Sequence, residues 1–359
     1  MQSPFPIRAI GLMSGSSLDG LDIACVEFNR IDGKWAFEII AADCIPYSDI
    51  WVEELRQAHT LNGKALWHLH TRFGKFCGQA ITDFITNKKL EHITLVASHG
   101  HTVFHYPDLG FTTQIGDGGA MAAYTKLPVI CDFRSTDIAK GGQGAPLVPI
   151  GDRLLFGQYR FLLNIGGIAN ITLQDPARPL AFDICPANQV LNHYAGQIGL
   201  NFDRDGALAA TGTVHTDLLN ALNGLDFYTL PSPKSLGNDY SRQVIIPLID
   251  SFGLSAADAS CTYCHHIAHQ VAQAIQSYPT RPGDQLLITG GGAHHDFLIQ
   301  HIKASVTVPV VIPQADVVSY KEAVIFALMG ILRWTGQINT LHTITGANDD
   351  SISGAIYLP

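Results

Sequence analysis

Twice along this chain an apolar run breaks into a glycine-rich turn and resumes as a second apolar run, and that repetition constrains the fold more than any other feature. The first instance covers residues 7–13, the turn GLMSGSSLDG (residues 11–20) and residues 21–28, with a third run over 35–42 after Asp32-Gly33. Apolar alternation bounded by Gly, Asp and Ser predicts antiparallel strands joined by hairpins. Helical patterns follow over about 49–59 and 66–85, then the strand ITLVAS and the segment Ser98-His99-Gly100-His101-Thr102. VPVICDF then leads to Arg134 and the loop Lys140-Gly-Gly-Gln-Gly-Ala-Pro-Leu147. The second instance is RFLLNIGGIANITLQD with PLAFDIC behind it, followed by helical patterns, QLLITGGG, VPVVIP and the helix KEAVIFALMGILRW. Little literal identity links the halves, yet the order of elements repeats. A chain of 359 residues also exceeds what one hydrophobic core usually organises. Two similar α/β domains are therefore expected, residues 1–155 and 156–359, with both glycine hairpins on one cleft and the C-terminal helix free to pack back on the first domain.

The bulk chemistry excludes several classes of function. The formal charge is −9 and no run of Lys or Arg stands out, which argues against a nucleic-acid surface. Charged residues make up 15% against 47% hydrophobic, a balance that favours extensive burial over disorder. The N-terminus MQSPFPIRAIGLM has no basic segment followed by a long apolar stretch. No later stretch approaches about 18 uninterrupted apolar residues, so a cytoplasmic protein without membrane contact is expected. Seven cysteines scattered over so long a chain form no compact disulfide framework. The one local cluster, Cys261-Thr-Tyr-Cys264-His265-His266 with His269 beyond, falls in a helical pattern and has no second CxxC or matching His pair. A packing role is expected for it rather than a zinc site.

Ligand chemistry concentrates in the turns. The first turn offers backbone N–H groups, the hydroxyls of Ser14, Ser16 and Ser17 and the carboxylate of Asp19. That set suits a phosphate and its metal ion, and it also suits an ordinary hairpin turn at Asp19-Gly20. A P-loop is excluded, because no lysine follows and LDIACVEF alternates as a strand. The second turn, Asn164-Ile-Gly166-Gly167-Ile-Ala-Asn170, combines close backbone approach with amide side chains. A third, Thr289-Gly290-Gly291-Gly292-Ala-His294, lies between an apolar strand and a helix, where a nucleotide or simply a positive φ would call for glycine. Asp183 closes the strand LAFD, as a rigidly held general base would, with an N-cap as the competing role. Asp203-Arg204-Asp205-Gly206 reads as a charged turn, with metal binding as the other account. Glu322 falls early in the last helix, and Arg134 with the 141–146 loop offers contacts to anions and hydroxyls, or a structural ion pair.

Taken in order, GLMSGSSLDGLD, ASHGHTV, QIGD, DFR, GGQGAPLVP, LNIGGIANIT, FDRDGALAATG, PSPKSLG, TGGGAHH, KEAVIFA and the closing TGA carry a resemblance over essentially the whole length. The chain resembles the anhydro-N-acetylmuramic acid kinases of bacterial cell-wall recycling, in the hexokinase/actin-like ATPase superfamily. The resemblance implies two ribonuclease H-like lobes, each a mixed five-stranded sheet with flanking helices. It implies ATP and Mg²⁺ in the cleft between them, and a 1,6-anhydro sugar that is opened hydrolytically and phosphorylated on O6. Asp183 would then be the catalytic base. Gly11, Ser14, Gly15, Ser16, Ser17, Asp19 and Gly20 would form the first phosphate hairpin, with Asp19 toward the metal. Asn164, Gly166, Gly167 and Asn170 would form the second, and Gly290, Gly291 and Gly292 would line the adenosine side. His99, Arg134, Gln143, Gly144, Asn188 and Glu322 would surround the sugar, and a homodimer is implied as well. The family's usual Asp-Thr-Gly-Pro-Gly-Asn is here Asp183-Ile-Cys-Pro-Ala-Asn188, and the added Cβ atoms are expected to hold the backbone farther from a ligand. Ser16 replaces a more usual Thr and keeps the hydroxyl. A kinase for a related sugar and an actin-like ATPase without a sugar are the other readings open to the sequence.

Overall fold

The computed structural model describes residues 6–15, 17–175, 180–237 and 239–359. They fall into two units, one comprising the chain up to Gly157 together with Tyr320–Pro359, the other Gln158–Ser319. In the first unit β1 (Ile7–Ser14), β2 (Gly20–Ile31) and β3 (Lys34–Pro46) form an antiparallel meander. β4 (Ile93–Tyr106) pairs with β1 in parallel, β5 (Phe111–Ile115) folds back on β4, and β6 (Val129–Cys131) runs parallel to β4. The terminal strand Ala355–Tyr357 closes this sheet against β6.

Alternation in β1 and β2 turns Ile10, Leu12, Leu21, Ile23 and Cys25 into one core. That core is completed by Leu69, Phe73, Cys77, Ile81 and Phe84, spaced along one face of the helix Gly63–Lys88. Asn62 caps the helix by accepting the Ala65 N–H at 3.0 Å, and Lys89 ends it in the left-handed conformation.

The second unit repeats the order. β7 (Phe161–Ile165), β8 (Ile168–Leu173) and β9 (Leu180–Pro186) form the meander, β10 (Leu286–Thr289) lies parallel to β7, and β11 (Val310–Val311) lies parallel to β10. Read across the sheets, β6-β4-β1-β2-β3 in one unit corresponds to β11-β10-β7-β8-β9 in the other. This is the ribonuclease H-like order, extended to seven strands in the first unit by β5 and the terminal strand. The helix Ala256–Gln276 supplies Tyr263, Cys264, Ile267, Val271 and Ile275 to the second core. No helix among the described residues is long and apolar enough to cross a membrane.

Residues 156–359 are divided between the two units. The helix Ala315–Trp334 leaves helical geometry at Tyr320 (φ −115°, ψ 15°), and from there on the chain belongs to the first unit. Small residues admit it: a Cβ on Gly11 would run into the Ala323 carbonyl, and one on Gly330 would lie 2.6 Å from the Ala97 methyl. Because the atom in the way at Gly11 is backbone, Gly11→Ala should lower the unfolding temperature, at an overpacking cost of about 1–3 kcal/mol. Gly63→Ala, where nothing lies within 4 Å, serves as the control. Thermal unfolding by circular dichroism reads both, and an unshifted Gly11→Ala would show that the helix yields.

Candidate active site

In the second unit the Gly166-Gly167 turn sets Asn164 opposite Asn170. β9 adds Asp183 opposite Asn170, and β10 adds Thr289 opposite Asn164. A polar row thus crosses four strands, while the intervening Leu163, Ile165, Ala169 and Ile184 are buried. The Thr289 hydroxyl is itself buried without a partner among the described residues. Asp183 is held from two sides: its N–H donates to the Lys234 carbonyl at 3.0 Å, and Oδ2 accepts from the Leu236 N–H at 2.9 Å and the Ser235 hydroxyl at 3.2 Å. Oδ1 has no hydrogen-bond partner among the described residues. Nor is Asp183 a cap for the helix Asn188–Gln197, which has no side-chain cap. The N–H groups of Ala187 and Gln189 donate to the Gly167 carbonyl and that of Asn188 to the Gly166 carbonyl.

Those bonds correct one expectation. Cys185 and Ala187 do not stand between the backbone and a ligand, because both are fully buried and Ala187 has a φ of −131°, which a Cβ tolerates. The triple glycine is likewise used mostly within the unit. Gly290 has φ +83°, and a Cβ there would lie 2.6 Å from Asn164 Oδ1, while one on Gly292 would overlap Ile165. Gly291 alone faces open space, its nearest neighbour being Asn188 Nδ2 at 3.7 Å. His295 Nδ1 then caps the helix Asp296–Ser305 by accepting the Leu298 N–H at 3.2 Å. Its Nε2 lies 3.3 Å from Asp203, whose carboxylate also accepts the Leu208 and Ala209 N–H groups, so Asp203 organises its own turn. The cysteine–histidine cluster packs: His266 bonds Asn223 at 2.7 Å and Tyr228 at 2.9 Å, and Cys264 lies 4.0 Å from His295.

In the first unit the hairpin residues divide by function. Ser14 is buried and committed, accepting from the Tyr47 hydroxyl at 2.7 Å and lying 3.0 Å from His101 Nδ1. Gly11 is a packing glycine, and so is Gly20, where a Cβ would meet Cys44 Sγ at 2.6 Å. Gly15 is open apart from Ser17 Oγ at 3.3 Å. Ser17 donates to Asp19 Oδ1 at 2.7 Å, which also accepts the Gly20 N–H, and the exposed Asp19 keeps Oδ2 without a partner among the described residues. Ser16 lies outside the described residues.

Arg134 is built into the same unit. His99 Nδ1 donates to the Gly100 carbonyl at 2.9 Å, which leaves Nε2 to accept from Arg134 Nε at 3.1 Å and Nη2 at 2.8 Å. Burial first, and Arg134 second, push the His99 pKa down to about 3, so the imidazole is neutral. Arg134 Nη1 donates to the Gly144 carbonyl at 2.6 Å, and the Gly144 N–H donates to the buried Asp137, which also accepts the Thr345 hydroxyl. His99 therefore has no nitrogen left for a sugar and instead orients Arg134. Gln143 donates its N–H to the Thr345 carbonyl at 2.8 Å and its side chain is exposed. Glu322 is solvent-accessible just past the kink, yet surrounding protein raises its pKa by desolvation, opposed by Lys321 and Arg134 and reinforced by Asp22.

Sequence reasoning overlooked Arg56 and His59, which line a cavity of about 470 Å³ together with Gly15, His99 and Arg134. At the end of a short helix they look like ordinary surface charge. Asp22 was hidden as well, an acid in an alternating strand.

A repeated ribonuclease H-like sheet, with a glycine hairpin at the corresponding turn of each unit and a clamped carboxylate on β9 of the second, is the two-unit α/β fold of the actin-like ATPase class. The family model for anhydro-N-acetylmuramic acid kinase matches residues 7–359. The anhydro-N-acetylmuramic acid kinase of Hydrogenovibrio crunogenus is 33% identical with all of both chains covered, and that of Paramagnetospirillum magneticum is 34% identical over 98% of this chain and 99% of the relative. The corresponding enzyme of Zymomonas mobilis is 35% identical over 84% and 86%. The chain belongs to the anhydro-N-acetylmuramic acid kinase family and is an ATP-dependent sugar kinase.

Burial pushes the Asp22 carboxyl up to about 6, with the Cys44 thiol opposing the rise and Asp19 adding to it. An acid whose folded pKa exceeds its unfolded value costs nothing below about pH 4 and progressively more as the pH climbs through both values. Asp22→Asn should therefore raise the unfolding temperature over wild type near neutral pH and lose that advantage at about pH 4. An equal difference at both pH values would refute this electrostatic account.

Proposed function

We propose that the chain opens 1,6-anhydro-N-acetylmuramic acid with water while phosphorylating O6, yielding N-acetylmuramic acid 6-phosphate and ADP, and that it does so in the cytoplasm. The observation that carries the reading is Asp183, with Oδ2 clamped by a backbone N–H and a hydroxyl and Oδ1 uncommitted among the described residues. A carboxylate so positioned is suited to general-base work. In the proposed step a water oxygen bonds to C1, its proton passes to Asp183 and the C1–O6 bond breaks. The released O6 electron pair attacks the γ-phosphorus and displaces ADP. Positioning supplies much of the rate in such transfers.

Arg134 and Glu322 serve the sugar in this reading, helped by Gln143, Asn188 and the Gly144 segment. Gly15, Ser17 and the Asn164–Asn170 hairpin serve the phosphates, and Gly291 the adenosine side. Asp19 fits Mg²⁺, since it presents an exposed, uncommitted carboxylate oxygen, the hard donor this cation prefers. When bound, the ion supplies neutralisation of phosphate charge.

Two experiments test these roles. Asp183→Asn retains an acceptor for the Leu236 N–H but no proton acceptor, so turnover should fall at least ~100-fold with nucleotide binding intact. In ¹⁸O-water, label should enter C1 of the product and not the phosphate; label in the phosphate would mean that water attacks ATP and that Asp183 has another role. Gly15→Val, where an added Cβ meets little, should leave the unfolding temperature nearly unchanged and weaken ATP binding in a nucleotide titration. Lost stability with unchanged affinity would make the turn a purely structural one.

A further inference from the structure

We propose that Arg56, with His59 beside it, is the subsite for the carboxylate of the sugar's lactyl substituent; this rests on the reading of the sugar as an anhydromuramic acid. That sugar differs from its glucosamine counterpart by a lactyl ether on O3, whose carboxylate is ionised near neutral pH. The first-unit cavity of about 470 Å³ is of monosaccharide size, and although the chain carries a net charge of −9, no acidic residue among the described ones lines it. Among the described residues its lining includes two permanent cations, Arg134 and Arg56.

They are not equivalent. A guanidinium has five N–H donors, and the contacts to His99 and Gly144 already engage all three nitrogens of Arg134. Arg56 lies in the last turn of the helix Asp49–Gln57, and its ion pair is with Glu53 at 2.9 Å, with side-chain exposures of 61% and 54%. Such an exposed pair contributes little, so a substrate carboxylate can join or replace Glu53 at small cost and accept a two-pronged bond. His59 Nδ1 donates to the Arg56 carbonyl at 3.0 Å, which fixes the imidazole next to the arginine. Leu18, Leu55 and Val103 in the same lining suit the lactyl methyl group.

The test compares kcat/KM for 1,6-anhydro-N-acetylmuramic acid and 1,6-anhydro-N-acetylglucosamine in wild type, Arg56→Gln and Arg56→Lys. Wild type should prefer the acid. In Arg56→Gln the preference should shrink by ~10–100-fold, mainly through KM, as expected for one lost charge-assisted contact, and Arg56→Lys should restore part of it. An unchanged preference in Arg56→Gln, or a wild type indifferent to the carboxylate, overturns the subsite while leaving the kinase reading standing. A wild type that phosphorylates neither sugar overturns that reading instead. Circular dichroism of the variants separates misfolding from lost recognition, and an unfolded Arg56→Gln would itself overturn the assignment of this exposed side chain.

Discussion

Three main-chain hydrogen bonds, from Ala187, Asn188 and Gln189 to the carbonyls of Gly166 and Gly167, set the geometry on which the second unit's chemistry depends. A helix start has N–H groups with no partner of their own, and a two-residue turn has carbonyls pointing outward. Joining them satisfies both and locks the β7–β8 hairpin to the end of β9. Asp183 lies on that strand, so its carboxylate inherits a fixed relation to Asn164 and Asn170. Gly290 then fits against Asn164 and Ile165 because it lacks a side chain.

The first unit solves a different problem, that of holding a cation in place with little water. Arg134 is held by a neutral imidazole and a carbonyl, and each of these is held in turn: His99 by Gly100, Gly144 by Asp137, Asp137 by Thr345. A protonated His99 would repel the guanidinium, and burial prevents that protonation. The chain of contacts draws on residues far apart in sequence, including the C-terminal segment that returns to this unit at Tyr320. The closing TGA segment is thereby tied to the fold through its threonine, which serves both Asp137 and the Gln143 N–H.

The loop after Asp183 carries side chains at two positions where the resemblance implies glycine, and its burial shows where they go. Cys185 and Ala187 direct their side chains into the core, and the loop keeps its bonds to the Gly-Gly turn through main-chain atoms that do not depend on residue type. The substitution therefore belongs to packing and leaves the carboxylate's surroundings to Lys234, Ser235 and Leu236.

Local chemistry made much of this legible in the sequence. Period-two alternation and turn glycines spelled out both meanders, and Asp183 at a strand end stood out because few residue types there can act on a proton. Gly291 and Asp19 were likewise visible as a glycine and a carboxylate in turns, but their neighbours Gly11, Gly20, Gly290 and Gly292 looked identical, and at these four an added Cβ would meet the protein's own atoms. Distinguishing them requires knowing which backbone comes close, and that is decided by elements distant in the chain. The same reason hid the service of His99 to Arg134, the raised pKa of Asp22 and the place of Arg56 on a cavity wall. Pattern and turn chemistry act over a few residues and are written in the sequence, whereas burial, register across strands and the partner of a buried charge arise only when remote segments pack.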